Sequence, residues 1–430
     1  MLKEIKIANF RGFSDEVTIR VAPITILIGR NNAGKSSVMK LLRMLKQSID
    51  SSSTKFLVAR GREIKLSGIH QQKNVGSEEN ASLEESEPLM FSISMQNRGS
   101  PINVIKDYAK LKVEKQPSNK NPESHTVTTQ IMYTESDSSF RGDMNTQVFW
   151  DENRLVDATK KIDDDSRFLR FATDFPILFD YPIEKEERSI VMRVLEHSAS
   201  FVSEGISNIY HVGTGRYSLP DEFYGDKDDF DPHYVGRKGK YTLHHLLRIQ
   251  QNKLDSFNFV CEHLENILGV KDVTFETGIS RAYCNATNDQ TGASTNIAEF
   301  GFGVHQCLPV LVQGAIMNPH TTMMLEEPEA QIHPTAQLAF SSYFADLWNT
   351  REVASIIETH SANMLLRLQT LIKNKELSFE DVSIAYFCVE GGKTNIKNLS
   401  IRENGFLEKG LPIEFFHRDI FEATGAEIKS

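Results

Sequence analysis

A glycine-rich segment between an apolar run and an amphipathic stretch constrains this chain more than any other feature. Residues 29–37 read GRNNAGKSS, match the pattern G-x-x-x-x-G-K-[ST], and follow the apolar run at residues 24–28. Four apolar side chains then recur at helical spacing: Val38, Leu41, Leu42 and Leu45. This order predicts a buried strand, a loop and a helix. In such a loop, glycines let backbone N–H groups close around phosphate oxygens at a helix N-terminus.

The polar residues of this loop suit a nucleoside triphosphate with a magnesium ion. Lys35 is expected to reach the β- and γ-phosphates, and the Ser36 hydroxyl is expected to bind Mg²⁺. The alternative is a chance loop, which the strand before it and the helix after it disfavour.

Composition sets outer bounds on size, partners and compartment. A chain of 430 residues predicts one large domain or two closely joined domains. The net charge of −10 argues against nucleic-acid binding over the whole surface, although it leaves room for a local basic patch. The four cysteines form no C-x-x-C pair, and no apolar run reaches membrane-spanning length. We therefore expect reduced thiols, a cytoplasmic protein and no membrane contact.

Patterning along the chain predicts a mixed fold. Residues 1–28 predict a β-meander that ends in the strand before the loop, and residues 55–150 predict an antiparallel β lobe. Residues 190–201 and 241–268 carry helical spacing. Between the loop and residue 290 no stretch sustains heptads, so a long coiled coil is not expected.

A second segment whose side chains could bind metal or take part in catalysis follows the apolar residues 322–325. Glu326, Glu327 and Glu329 lie directly after this predicted strand, with Pro328 among them. Carboxylates at the tip of a buried strand can hold the Mg²⁺ shell and can orient an attacking water. Glu326 fits the first task and Glu327 the second. Without the loop upstream, a charged turn would explain the segment equally well.

Two further features are consistent with a phosphate site. His360 follows the apolar strand at residues 353–357, where an imidazole can contact a γ-phosphate or the attacking water; a satisfied core or loop histidine is the alternative. Residues 299–306 are glycine-rich and precede a predicted helix, which is a second anion-binding device. Such turns are common, so this signal is weak.

Taken together, these motifs resemble ABC-class ATPases of the SMC, RecF and OLD kind, above all the short OLD-like "AAA family" ATPases often encoded in bacterial defence operons. The resemblance covers residues 1–50 and 295–370 well, and residues 404–416 also look like the end of that group. The middle is matched in outline only, through residues 210–216 and 236–239. The resemblance implies an α/β P-loop NTPase fold of ABC ATPase type, with a mixed central sheet, an antiparallel β lobe and an inserted helical subdomain.

Domain boundaries and site residues follow from the same resemblance. Residues 1–150 and 291–430 would form the two halves of the ATPase domain, and residues 151–290 the mainly helical insertion. The implied nucleotide-binding residues are Arg11, Gly29, Asn31, Asn32, Gly34, Lys35, Ser36, Ser37, Gly303 and His305. The implied metal ligands are Ser36 and Glu326, and the implied catalytic residues are Lys35, the catalytic glutamate Glu327 and the switch histidine His360. An exposed turn arginine is the alternative for Arg11, and either Gln71 or Gln72 could supply a Q-loop or belong to a polar loop.

This chain departs from the family pattern at two positions. Residues 301–306 lie where the signature motif is expected, which in relatives reaches across a dimer to the partner's ATP. The usual serine between the two glycines is Phe302 here, which offers no side-chain donor, so only backbone N–H groups or His305 could reach phosphate. The usual Walker B aspartate is Glu326, a replacement frequent in the OLD-like group.

The implied activity is Mg²⁺-dependent ATP hydrolysis in a homodimer or higher homo-oligomer. The roughly 60 residues after residue 370 are too few for a separate nuclease domain, so an effector nuclease would be a separate chain in anti-phage defence. The alternative is a RecF- or SMC-like repair ATPase that clamps duplex DNA. A transporter ATPase subunit ranks lowest, because no Ser-Gly-Gly signature is present.

Overall fold

The computed structural model describes residues 2–8, 10–49, 90–95, 106–114, 125–134, 141–150, 169–170, 176–177, 205–224 and 231–408. Gln71, Gln72 and residues 190–201 lie outside this part of the chain. The chain folds into two compact units. Unit 1 comprises Met1–Val21, Asn31–Ile209 and Phe387–Lys397, and unit 2 comprises Ala22–Arg30, Tyr210–Tyr386 and Asn398–Ser430.

Before residue 205 the described elements are strands and the first α-helix, and after it strands and helices are mixed. The strands are β1 (Leu2–Ala8), β2 (Val17–Arg20), β3 (Ile24–Gly29), β4 (Met90–Met95), β5 (Lys106–Glu114), β6 (His125–Thr134), β7 (Arg141–Trp150), β8 (Leu169–Arg170), β9 (Pro176–Ile177), β10 (Ile209–Val212), β11 (Val270–Thr277), β12 (Ala282–Asn288), β13 (Ser294–Asn296), β14 (Thr322–Glu326), β15 (Ala354–Glu358), β16 (Val382–Glu390) and β17 (Lys393–Leu399). The α-helices are α1 (Lys35–Ile49), α2 (Thr242–Asn252), α3 (Leu254–Leu268), α4 (Phe302–Ile316), α5 (Pro334–Arg351) and α6 (Ala362–Lys373).

Unit 1 contains an antiparallel sheet with the strand order β2-β1-β4-β5-β6-β7. In β1 the side chains of Ile5 and Ile7 are buried, and they pair with the buried Ile19 and Val17 of β2. The polar residues between them lie on the other face, as the period of two requires. The predicted antiparallel β lobe is therefore confirmed.

Unit 2 contains the strands β10, β14, β15, β3 and β16 side by side in that order, and β14–β15 and β15–β3 are parallel. β16 continues into unit 1, where it pairs with β17. The antiparallel sheet and this largely parallel one confirm the predicted mixed α/β fold class.

The predicted meander at residues 1–28 is wrong in one respect. β1 and β2 pair with each other, but β3 joins the parallel sheet of unit 2 instead of pairing with β2. All six residues of β3 are buried, whereas β2 alternates buried and accessible positions. A strand buried on both faces fits a parallel sheet covered on both sides, and an alternating strand fits a sheet with one solvated face.

The helix predicted over residues 241–268 is in fact two helices, α2 and α3. Lys253 lies between them with φ −144°, which is outside the helical region. The Asn252 side chain donates a hydrogen bond to the Arg248 carbonyl, so it takes up an acceptor near the end of α2. The apolar spacing continues across this break, which is why the sequence suggests one helix.

Helices α4 and α5 of unit 2 contact each other at a buried tyrosine. Tyr343 of α5 is fully buried, and its hydroxyl donates to the carbonyls of Val310 and Leu311 in α4. Pro309 lies inside α4 without a backbone N–H to donate, so contacts from α5 help to hold this turn of the helix. Gly314 of α4 faces the same tyrosine, and a β-carbon there would overlap the Tyr343 hydroxyl oxygen.

Two structural observations concern the cysteines and the possibility of a membrane-spanning helix. None of the four cysteines forms a disulfide in the part of the chain that the structure describes, and Cys284, Cys307 and Cys388 are buried. Among the helices that the structure describes, none has both the length and the apolar character needed to cross a bilayer.

Replacing Gly314 tests the close approach of α4 and α5. We expect Gly314→Ala to lower the free energy of unfolding by about 1–3 kcal/mol, because the added methyl group overfills a packed contact. Thermal and urea unfolding would measure this. Gly303→Ala in the same helix is the matched control, since its β-carbon would meet only ordinary contacts at 3.4–3.5 Å.

The clash also predicts a coupling. In a Tyr343→Phe background the overlapped oxygen is gone, so Gly314→Ala should cost less there than in the parental protein. A Gly314→Ala protein as stable as the parent would contradict this packing.

Candidate functional site

The phosphate-loop residues lie between β3 and α1 and adopt a backbone that favours glycine. Gly29, Asn32 and Gly34 have φ values of +146°, +62° and +99°. Helix α1 begins at Lys35, and the Ser37 N–H donates to the Gly34 carbonyl at 2.9 Å. The strand, loop and helix predicted from the sequence are therefore confirmed, and Val38, Leu41, Leu42 and Leu45 are buried.

Gly34 is held in a close fit inside unit 1. A β-carbon on this residue would lie 3.0 Å from Thr394 Cγ2 and 3.1 Å from Phe13 Cζ. Together with the positive φ, this contact restricts the position to glycine. Lys35 beside it is buried, with only 3% of its surface exposed, and Asn31 and Asn32 are exposed.

The turn that carries Arg11 includes Phe13 and contacts Thr394. Phe10 and Phe13 exchange backbone hydrogen bonds at 3.0 Å, which closes a tight turn with Arg11 at φ +55°. The Thr394 N–H donates to the Gly12 carbonyl at 3.3 Å. Phe13 of this turn and Thr394, which contacts it, both lie beside Gly34, so unit 1 brings the Arg11 turn and Gly34 together.

The acidic residues lie at one edge of the parallel sheet in unit 2. Glu326 of β14 is in register with Glu358 of β15, and Glu358 is in register with Leu27 of β3. β3 ends two residues later at Gly29, the first glycine of the phosphate loop. Parallel strands place their carboxyl ends at the same edge, so Gly29 and Glu326 share that edge.

Glu326 is held by one residue of β10 and one residue of the segment after it. His211 Nε2 lies 3.0 Å from Glu326 Oε1, and its imidazole is buried. Arg216 donates to the Glu326 carbonyl at 3.1 Å and to Gln306 Oε1 at 3.3 Å. Burial lowers the pKa of Arg216 to about 10, which leaves it charged at neutral pH. Motif reasoning missed His211 and Arg216 as site residues, although residues 210–216 had matched the family in outline.

Glu327 and His360 face each other across a cleft. His360 Nε2 lies 3.9 Å from Glu327 Oε1, and both side chains are more than a third exposed, so this pair contributes little to stability. The Glu327 N–H donates to the Glu358 carbonyl at 2.8 Å, and Glu327 has φ +43°. The cleft has a volume of about 440 Å³ and is lined by Glu327, Glu329, Ala330, Gln331, Gln337, His360, Ser361, Ala362 and Asn363.

Glu329 is the buried member of the acidic segment. Its Oε1 accepts hydrogen bonds from the Thr359 hydroxyl at 2.5 Å and from the His360 N–H at 2.9 Å. Its Oε2 is buried and has no hydrogen-bond partner among the residues that the structure describes. Burial raises the pKa of Glu329, and these hydrogen bonds oppose the shift only in part. Sequence reasoning gave this residue no role.

The residues of the signature-like segment have contacts of their own. His305 is buried, its Nδ1 accepts from the Leu219 N–H at 2.8 Å, and its Nε2 bonds the Phe300 carbonyl at 3.1 Å. A phosphate contact by His305 would require one of these bonds to break. Gly303 faces the side chains of Ile332 and Leu268.

The metal-binding capacity of the described residues is limited. They contain no group of three or more His, Cys, Asp or Glu side chains arranged around a metal ion. A magnesium ion that takes most of its ligands from phosphate and water needs no such cage, and one or two protein oxygens suffice.

Comparison with known proteins places the chain in a family. Its sequence matches the AAA ATPase domain over residues 1–200 and 225–365. No curated protein sequence is a significant match. The family supports the predicted ATPase class and ATP as its ligand, whereas the OLD-like subtype stays a prediction.

Solved structures that resemble the chain include three heads of SMC proteins. The SMC head domain from Thermotoga maritima gives a TM-score of 0.39 at 10% identity, covering 92% of this chain and 98% of that one. An SmcHead bound to the C-winged helix domain of ScpA gives 0.42 at 11%, with coverages of 94% and 98%. An Smc head domain with an extended coiled coil, bound to the C-terminal domain of ScpA derived from Pyrococcus furiosus, gives 0.43 at 10%, with coverages of 93% and 96%.

Similarity to solved structures at this level says nothing about what the chain does. The sequence match is broader evidence, because it spans well over half of the 430 residues. The chain therefore belongs to the AAA ATPase domain family.

Proposed function

We propose that this chain binds ATP with Mg²⁺ and hydrolyses it, and that the phosphate loop and the acidic edge act on one nucleotide. The register of β3, β15 and β14 carries the proposal, because it brings Gly29 and Glu326 to the same edge of a parallel sheet. Ligands of open α/β sheets bind at the carboxyl ends of their strands. The close fit and positive φ at Gly34 suit a loop whose backbone curls around phosphate.

Four of the predicted residues contact the phosphates and the metal ion in this proposal. Lys35 neutralises charge on the β- and γ-phosphates, and Arg11 contacts phosphate from its turn beside Gly34. Ser36 and Glu326 supply oxygen ligands for Mg²⁺, which would neutralise charge on the transferred phosphoryl group. His211 fixes the orientation of the Glu326 carboxylate through its 3.0 Å contact.

The hydrolytic step belongs to Glu327 and His360. Glu327 lies next to the metal-binding Glu326 with its carboxylate accessible in the cleft. Glu327 accepts a proton from the water that attacks the γ-phosphorus. ADP is the leaving group, and the products are ADP and phosphate. His360 donates a hydrogen bond to the γ-phosphate from the opposite side of the cleft.

We propose further that ATP binding drives self-association, which controls a separate effector nuclease in anti-phage defence. Helix α4 begins at Phe302 with no side-chain cap at Gly301, and Phe302 is 45% exposed. An accessible helix start of this kind can offer backbone N–H groups to a nucleotide held by a second copy. The role in defence and the nuclease partner rest on the resemblance to the OLD-like group.

DNA binding is the second candidate function, and one observation favours it. Arg237, Lys238 and Lys240 are exposed within five residues, and the backbone around them carries Gly236 and Gly239 at positive φ. Three cations on one loop form a local basic patch on an acidic protein, which suits contact with a phosphate backbone.

Removing the phosphate-loop lysine tests nucleotide binding. We expect Lys35→Ala to weaken ATP binding by roughly 10-fold to 100-fold, because charge-assisted hydrogen bonds contribute about 1.5–3 kcal/mol. Titration calorimetry would measure this, with Lys373→Ala, an exposed lysine of α6, as the control. Unchanged ATP affinity in Lys35→Ala would contradict the assignment of this loop to the nucleotide site.

Neutralising Glu327 separates binding from hydrolysis. Glu327→Gln should retain ATP but lose about 10²–10⁴-fold in kcat, since a positioned general base is missing. Size-exclusion chromatography with ATP should then show a stable dimer. Glu352→Gln is the control, because Glu352 is also exposed and has φ +54°. Hydrolysis by Glu327→Gln at the parental rate would discredit the assignment.

The two candidate functions, effector control and DNA binding, predict different effects of duplex DNA on the ATPase rate. Under effector control, duplex DNA leaves the ATPase rate unchanged and a pull-down recovers a nuclease. Under DNA binding, duplex DNA raises the rate, and reversing both charges in Lys238→Glu/Lys240→Glu abolishes that increase while Lys373→Glu does not. We expect the first pattern, and DNA stimulation lost in the double variant would favour the second.

A further inference from the structure

Two loops that carry the proposed catalytic residues are joined by a buried carboxyl group. One loop follows β14 and contains Glu327, and the other follows β15 and contains His360. Glu329 belongs to the first loop, yet both hydrogen bonds to its Oε1 come from the second loop, from Thr359 and His360. Only 7% of the Glu329 surface is exposed. Hydrogen bonds shielded from water in this way are stronger than exposed ones.

The hydrogen bonds continue beyond Glu329 into the second loop. Thr359 Oγ1 donates to Glu329 and at the same time accepts from the Ser361 N–H at 2.9 Å. The backbone on both sides of His360 is therefore tied to Glu329, directly on one side and through Thr359 on the other. Several linked hydrogen bonds restrict the segment more than one bond would.

A second contact joins the same part of the chain. Gln337 of α5 accepts from the Ser361 hydroxyl at 2.6 Å and from Asn363 Nδ2 at 3.2 Å. Its own amide donates to the Ile332 carbonyl at 3.2 Å, at the end of the Glu327 loop. Gln337 thus connects both loops at their far ends, while Glu329 connects them next to His360.

The loop after β14 requires such support. Glu327 and Gln331 have φ values of +43° and +64°, which cost free energy for residues other than glycine. Strained backbone of this kind persists only where surrounding contacts hold it.

We propose that Glu329 is a positioning residue, whose buried carboxyl group holds the backbone of His360 so that its imidazole faces Glu327 across the cleft. This proposal rests on the proposed ATPase function, because it assigns His360 and Glu327 to the hydrolytic step. In this proposal Glu329 makes no contact with the nucleotide. Its effect on the reaction comes entirely through the geometry of the two loops.

The chemical form of Glu329 suggests how to test it. Both donors need one acceptor oxygen, which a glutamine side chain also offers. Burial raises the pKa of Glu329, and glutamine keeps the acceptor oxygen without placing a charge in this buried position. Alanine offers no acceptor and leaves the Thr359 hydroxyl and the His360 N–H without this partner.

The kinetic test compares Glu329→Ala with Glu329→Gln. We expect Glu329→Ala to lower kcat roughly 10-fold to 100-fold with little change in KM for ATP, because a displacement of about 1 Å in a catalytic group has effects of this size. Glu329→Gln should recover most of the parental kcat. Glu380→Ala, an exposed glutamate of the same unit, is the control. Parental kcat in Glu329→Ala, or a Glu329→Gln protein as slow as Glu329→Ala, would overturn the proposal.

A milder pair of variants covers the case in which Glu329→Ala does not fold. Thr359→Val removes one donor and keeps the His360 N–H bond, whereas Thr359→Ser keeps both. We expect Thr359→Val to lower kcat and Thr359→Ser to retain it. Equal rates in these two variants would count against the network.

Amide hydrogen exchange without nucleotide separates this proposal from the ATPase function. The His360 amide should exchange slowly in the parent and in Glu329→Gln and faster in Glu329→Ala, whether or not ATP is hydrolysed. In Thr359→Val the Ser361 amide should exchange faster, because its acceptor is lost. A protected His360 amide in a parent without ATPase activity would overturn the proposed function alone. Fast exchange of this amide in an active parent would overturn the positioning role alone.

Discussion

The parallel hydrogen-bonded register of β3, β15 and β14 is the constraint on which the rest of the site depends. Because Leu27, Glu358 and Glu326 are in register, the end of β3 and the acidic end of β14 lie at one edge of the sheet. The backbone hydrogen bonds between these strands fix this placement, without any contribution from a turn or a side chain. A slip of one residue would turn every side chain of a strand to the opposite face.

Side chains that bond to backbone then fix the loops at this edge. Arg216 donates to the Glu326 carbonyl, and Glu329 accepts from the His360 N–H. Both are buried ionisable groups. Burial lowers the pKa of Arg216 and raises the pKa of Glu329, because it disfavours the charged form of each. Groups of this kind are costly to bury unless they are hydrogen-bonded. Their position between loops, rather than in a helix or strand, indicates that they stabilise the arrangement of the site.

The sequence predicts the elements whose periodicity is strong and local. Helix α1 and the strands β14 and β15 lie where the apolar patterns place them, within one or two residues. The antiparallel lobe also follows from local patterns. These predictions succeed because burial on one face leaves a period in the sequence.

The sequence predicts less where the outcome depends on distant partners. It does not reveal that β3 lies in a different sheet from β2, because a strand that is apolar on both faces carries no information about which strand it pairs with. The bonds of Glu329 join residues 30 positions apart, and the contact of His211 with Glu326 spans 115. His305 looked like a phosphate ligand by position, yet both of its ring nitrogens bond to protein backbone. Motif spacing carries no information on such tertiary contacts.

A double-mutant cycle on metal binding tests the central claim, that the phosphate loop and the acidic edge hold the same nucleotide and ion. Manganese can replace magnesium, and electron paramagnetic resonance would give its affinity, with ATP present, for the parent, Ser36→Ala, Glu326→Gln and the double variant. Two residues that bind one ion should show a coupling energy of about 0.5–3 kcal/mol. Losses that simply add would mean that the two residues act independently, which contradicts the claim.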